Sequence, residues 1–185
     1  MKPFAIRLAV FATLLASAVD VRAQSPGSIE SSEHVIKAGS VYNFAKLVEW
    51  PAAVAPKGQP LIIGVLGNDE FADVLNRTVN GKKIDDRVVV VKRIKGKELK
   101  ECGCHILFVD ASENARTDEI VQFQNAASVL TIAEAPDFAR RGGVVGLTLE
   151  DNKVRFVVNV DAAAQASLSI SSRLLALATI VHTGR

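Results

Sequence analysis

Short apolar runs alternate with amphipathic ones along most of this chain. Three of them, "LIIGVLG" (61–67), "DRVVVVKRI" (86–94) and "HILFVDA" (105–111), are rich in apolar and β-branched residues and bounded by turn residues, the pattern of strands buried on both faces. "NDEFADVLNRTV" (68–79) and "SENARTDEIVQFQNAA" (112–127) instead repeat their apolar residues three and four apart, which predicts helices. "SVLTIAE" (128–134) predicts a further strand. Strands alternating with helices imply a three-layer α/β fold, a mostly parallel sheet with helices on both faces.

The two ends of the chain follow other patterns. From Glu30 to Trp50 the spacing predicts a helix with Val41, Phe44, Ala45 and Val48 on one side, stopped by Pro51. "PAAVAPKGQP" then reads as a connecting loop. Further on, "VVGLTLE" (144–150) and "KVRFVVNV" (153–160) flank Asp151 and Asn152, residues that tolerate the left-handed backbone of a tight turn. This predicts a C-terminal antiparallel hairpin at one edge of the sheet. The last segment, "AAAQASLSISSRLLALATIV", reads as one helix capped by Asp161. Ile170, Leu174, Leu177 and Val181 form its main stripe, while Leu168 and Leu175 fall nearly opposite at about 100° per residue. Two readings stay open: a helix buried on both sides, or Leu168 and Leu175 contacting a partner or a second copy. Asn159 and Arg173 read as residues satisfying buried polar groups.

The first residues change the picture of charge. "MKPFAIRLAVFATLLASAVDVRAQS" has a positive head at Lys2 and Arg7, an apolar stretch of 12 residues from Leu8 to Val19, and small residues near Ala23. That is the build of a secretory signal peptide, and the stretch is shorter than the roughly 20 residues of a spanning helix. Residues 1–23 are expected to be removed, leaving 24–185 as a single domain in the periplasm, not inserted in the membrane. The whole chain carries 22 basic and 20 acidic residues; without Lys2, Arg7, Arg22 and Asp20 the two signs balance. A neutral domain gives no reason to expect nucleic acid as a partner.

Candidate chemistry concentrates in "CGCHILFV" (102–109). Covalent haem attachment needs two residues between the cysteines, and here only Gly103 intervenes. Cys102, Cys104 and His105 lie too close together to supply three corners of a tetrahedral zinc site, and His34 and His182 have no ligand spacing. No metal or cofactor is expected. An oxidising compartment permits a disulfide, although a bridge across one glycine closes a small ring and restrains little chain entropy. Redox-sensing thiols, an intermolecular bridge, and two cysteines simply packed before a strand all remain open; His105 reads as a hydrogen-bonded residue at a strand entrance.

Catalytic patterns are missing from the sequence. "GVLG" (64–67) has neither the dinucleotide fingerprint nor the phosphate-loop lysine, "GGVVG" (142–146) opens a strand, and there is no G-x-S-x-G elbow. Glu134, Asp110 and Asp69 are placed to approach the carboxyl ends of the strands, where open α/β sheets bind ligands. A small-ligand sensor using that crevice is the alternative to a protein-binding function; no catalytic residue is assigned.

One further stretch carries more information than any of these. "YNFAKLVEWP" (42–51) closely resembles the first-helix signature of the YfiR-like family of bacterial periplasmic proteins. The similarity continues through "GKKI" (81–84), "CHILFV" (104–109), "VLTIAE" (129–134), "FARRGGVVGL" (138–147), "KVRFVVNV" (153–160) and "ISSRLLALA" (170–178). The resemblance implies a non-enzymatic repressor that contacts the periplasmic sensor region of an inner-membrane diguanylate cyclase or another membrane sensor, lowering cyclic di-GMP. It also implies a homodimer and redox control through disulfides. Cys104 matches the family's "CH" position, but a distant partner cysteine is missing here. Tyr42 and Trp50, within the signature, are the candidate partner contacts; Phe44 and Val48 read as core.

Overall fold

The computed structural model describes residues 26–135 and 137–183, so the expected signal peptide at 1–23 lies outside the described residues. The first helix, α1 (Pro26–Ala45), ends five residues earlier than its spacing predicts. Its stop is a turn in which Lys46 and Leu47 donate to Asn43 and Phe44 carbonyls. Val48 and Glu49 are then drawn into a short strand, β1 (Val48–Glu49), by pairing with residues near the other end of the chain.

The central part folds as its alternation predicts. β2 (Leu61–Leu66), α2 (Asp69–Val79), β3 (Lys83–Ile84), β4 (Arg87–Ile94), β5 (Ile106–Val109), α3 (Thr117–Ala127) and β6 (Leu130–Ala133) follow in order. Two-turn 3-10 helices at Gly96–Glu101 and Ala111–Arg116 lead into β5 and α3. Then come β7 (Val145–Glu150) and β8 (Lys153–Asn159), whose tight turn has Asp151 and Asn152 at φ 50° and 58°. α4 (Val160–Gln165), β9 (Ser169–Ile170), α5 (Ser172–Leu175) and β10 (Thr179–Val181) complete the described chain.

Eight strands form the main sheet in the order β10-β8-β7-β6-β5-β2-β4-β3. The pairs β2/β4, β2/β5, β5/β6, β6/β7 and β8/β10 are parallel, while β7/β8 and β3/β4 are antiparallel. Side chains of the central strands point alternately to two hydrophobic layers. Ile106 and Phe108 of β5 join Val41, Phe44, Phe71 and Leu75 of α1 and α2 on one face. Leu107 and Val109 join Ile120 of α3 and Phe138 on the other. Phe71 and Phe108 have no exposed surface, and their rings lie 4.1 Å apart. Each such burial contributes roughly 1.5–3 kcal/mol, and two-sided burial makes β2, β5 and β6 read as unbroken apolar runs; β4, expected to be buried on both faces too, instead alternates, with Val88 and Val90 exposed on one face.

The last segment overturns the expected single helix. Asn159, rather than Asp161, caps α4, accepting from the Ala162 amide at 2.9 Å, and α4 ends after one and a half turns. Ser167 takes a left-handed φ of 58° and turns the chain into β9; Ser171 then caps α5. Serine competes well for local backbone bonds, and "SLSISS" is dense in it. Leu168 and Leu175 would stand opposite the main stripe only on a continuous helix. In the fold Leu168 is buried in the main core and Leu175 packs half-buried against it. Outside the hairpin, β10 adds one more parallel strand to β8. Asn159 does satisfy buried groups, donating to Ala139 and Thr183, but Arg173 is exposed and does not.

Candidate functional site

The winding of the sheet marks one location. From β2 the chain passes through α2 to β4 on one side, then returns past β2 to β5 on the other. The carboxyl ends of β2 and β5 are thus the reversal point at which open α/β sheets place their ligands. Asp110, just after β5, and Glu134, just after β6, converge there. Lys37 of α1 reaches into the same place, 2.8 Å from Glu134 and 2.6 Å from Glu33, and is only 8% exposed. Asp110 accepts from Asn68 at 3.0 Å and from the amide and hydroxyl of Ser112 at 3.0 and 2.7 Å. Asp69 is not part of this group: it is exposed and lies 3.7 Å from Arg93.

The electrostatics follow from the geometry. Burial works against the charge on Lys37, but bonds to Glu134 and Glu33 outweigh it and hold the ammonium above its usual 10.5. Burial pushes Glu134 above 4.5, and its share of Lys37 does not fully offset this, with Asp110 and Glu33 adding repulsion. The two directions are compatible because one ammonium serves two carboxylates. For Asp110 burial is the largest influence and opposes charge, yet the Ser112 and Asn68 donors, with Lys37 nearby, keep its carboxyl below 3.8. The charged groups at the crevice are thus engaged with one another and with Asn68 and Ser112.

At the amino ends of the strands, His105 is the junction. Its amide donates to Ile62 and its carbonyl accepts from both Leu130 and Trp50 Nε1, at 2.9, 2.9 and 3.1 Å. Its Nδ1 accepts from the Ile62 amide at 3.0 Å, so the ring hydrogen sits on Nε2 and is donated to the Val54 carbonyl at 3.2 Å. The imidazole therefore extends the β2/β5 ladder by one bond and fastens the loop before β2. Burial, foremost, and the positive charge of Arg87 keep it from protonating and hold its pKa below 6.5, against the contrary pull of the Val54 carbonyl.

Cys102 and Cys104 are bonded to each other and are each 5% exposed. They pack against Leu107, Ile94 and Leu66 in the second hydrophobic layer. Gly64 of β2 makes room for them: a Cβ there would lie 2.6 Å from Cys104 Sγ. A bridge closing so small a ring stabilises by about 1–2 kcal/mol through chain entropy. Replacing both cysteines with serine is expected to cost about that much in urea unfolding, and to leave partner binding intact in a membrane pull-down.

The remaining candidates separate. Tyr42, in the last turn of α1, is half-buried, with Lys46 and Lys82 Nζ atoms 5.6 and 4.8 Å from its ring centre and its hydroxyl donating to the Lys83 carbonyl at 3.3 Å. Trp50 stands edge-on to His105, with ring centres 6.4 Å apart. Leu168 is spent in the core, and Leu175 keeps only part of its surface. Sequence reasoning missed Lys37, although a signal was there: it falls four residues before Val41, on the apolar side of α1, where an isolated lysine requires a buried partner.

Residues 34–179 match the model of the YfiR/HmsC-like family. No curated protein matches the chain. Among solved structures it is similar to a conserved domain protein from Vibrio cholerae O1 biovar El Tor (14% identity, TM-score 0.54, covering 79% of this chain and 59% of that one). It is also similar to the ABC domain from Streptococcus pneumonia solved in complex with L-Trp (11% identity, TM-score 0.53, 82% and 60%). The chain thus spans about three fifths of these structures, and at such identities the likeness concerns the fold alone.

Proposed function

This chain belongs to the YfiR/HmsC-like family, a family of regulators rather than catalysts, and we propose that it acts in the periplasm by binding and restraining the sensor region of an inner-membrane signalling enzyme, a diguanylate cyclase. The observation that carries this reading is the reach of the family match, 34–179, which takes in all of the paired sheet up to the first residue of β10. A repressor of this kind needs only to bind the enzyme's inactive arrangement more tightly than its active one. Each tenfold preference shifts the balance by about 1.4 kcal/mol.

The aromatic ring of Tyr42 between two lysines supports a contact with an acidic patch on the partner, since an anchored aromatic amid charge is a common centre of binding energy. Deleting the gene is expected to raise cellular cyclic di-GMP, and the tagged mature protein to capture a membrane cyclase. Tyr42→Ala is expected to weaken that capture about tenfold, a loss of roughly 1.4 kcal/mol, measured well below a melting temperature that should itself fall, because the ring packs on the core and its hydroxyl donates to Lys83. Membranes that yield no signalling enzyme, together with unaltered cyclic di-GMP in the deletion strain, would refute the reading.

A further inference from the structure

β4 begins with Arg87, at the end of the sheet opposite Lys37. Its side chain is only 9% exposed. A guanidinium taken out of water costs several kcal/mol unless its donors are met. Among the described residues its nearest carboxylate is Asp85, 3.9 Å away and itself 84% exposed, which is beyond hydrogen-bond reach. Nor is the charge sealed in, because none of its nitrogens is among the fully enclosed polar atoms without a partner. Arg87 instead lines a groove of about 450 Å³.

The chemistry of the groove narrows what would fit. Its apolar wall comes from Val48, Trp50, Ala52 and Ala55. Lys57, Glu49 and Asp85 also line it and are exposed, so the one buried charge is Arg87. The planar guanidinium matches a carboxylate through two parallel bonds. A dianion such as phosphate would need Lys57 for its second charge, and Lys57 is exposed, with Glu49 and Asp85 in the same lining, whereas a monoanion is matched by Arg87 alone. The volume lies within the range of small-molecule sites, about 300–1,000 Å³.

We propose that this groove is a binding site for a small monocarboxylate with an apolar body, the carboxylate lying on Arg87 and the body against the Trp50 ring. The site is distinct from the crevice at the other end of the sheet, and it stands apart from the partner reading above, which membrane capture judges separately.

Trp50 is the only tryptophan of the chain, so its fluorescence reports on this groove directly. Titrating the mature protein with hexanoate at constant ionic strength is expected to give a saturable change, with half-saturation at or below the millimolar range. Hexanol and inorganic phosphate are expected to give none. Arg87→Met should weaken hexanoate binding at least tenfold with melting little changed; should that variant not fold, Arg87→Lys, which keeps the charge but loses the paired geometry, should still weaken it severalfold. No saturable response to hexanoate, or equal binding by a folded Arg87→Met and Arg87→Lys, overturns the proposal. So does a response to an acetylated glutamyl amide without one to hexanoate, because the carboxylate would then be a protein's.

Discussion

Replacing Lys37 with methionine is expected to lower the free energy of unfolding by about 3 kcal/mol near pH 7.5, a large effect for one substitution because it breaks a buried ion pair from one side. The methionine fits the stem's apolar surroundings, so the loss comes from Glu134, left buried with no cation. A ceiling follows from its titration. Rather than stay charged, Glu134 takes a proton, which for a carboxyl of ordinary pKa 4.5 costs about 4 kcal/mol at pH 7.5. The loss should therefore shrink on acidification, to about 1 kcal/mol near pH 5.5. In the parent, Lys37 is held above 10.5, so its contribution is complete below that value and disappears as pH rises through the folded pKa. Urea unfolding at the two acidities checks this, and Glu134→Leu added to the variant should restore most of the loss. A methionine variant as stable as the parent at neutral pH would show that the pair is not buried in solution.

His105→Leu should cost about 2–6 kcal/mol, because it strands two backbone groups, the Ile62 amide and the Val54 carbonyl, at about 1–3 kcal/mol each. This change also has a signature in pH. The folded imidazole titrates below 6.5, while in the unfolded chain it titrates near that value. Below about pH 6.5 the unfolded chain takes up a proton that the folded one refuses, so stability is complete above this point and falls as pH drops through it. Asp110 does not enter this window, since its contribution is lost only below 3.8. Glu134 acts with the opposite sign there, its raised pKa favouring the folded state on acidification. The parent minus variant difference, measured by urea unfolding between about pH 7.5 and 5.5, isolates His105 and should narrow at the acid end. A difference independent of pH would mean that the ring is not held neutral.

The centre of the fold was legible because β2, β5 and β6 are buried on both faces and its helices on one, and those two conditions write different periods into the sequence; the one-sided burial of β4 was hidden because its exposed face carries Val88 and Val90. "HILFVDA" has no polar face to reveal and "NDEFADVLNRTV" has one. The end of the chain was illegible for a related reason. Leu168, Ile170, Leu174, Leu175 and Val181 are spaced so that a helix accommodates most of them, yet the core receives them from a turn, a two-residue strand, a single helical turn and an edge strand. Nothing local distinguishes these arrangements except the serines. The charged sites fared similarly. Asp110 and Glu134 could be placed by their positions after strands, but Lys37 meets Glu134 across 97 residues of sequence, and Arg87 is notable only for what fails to reach it.

The small pairing of β1 with β9 sets Val48 opposite Ile170 and Glu49 opposite Ser169, joining segments from the two ends of the fold. Loop closure over such a span must precede the reward of the contact, which slows folding. A growing chain can assemble β2 through β6 early and pack α1 on them, but the β1/β9 pair that follows α1 cannot form until Ser169 and Ile170 have emerged. Truncation just before Ser169 should leave the early sheet able to collapse while depriving Val48 and Glu49 of their strand partner, so that the order of synthesis itself governs when the molecule acquires its finished surface.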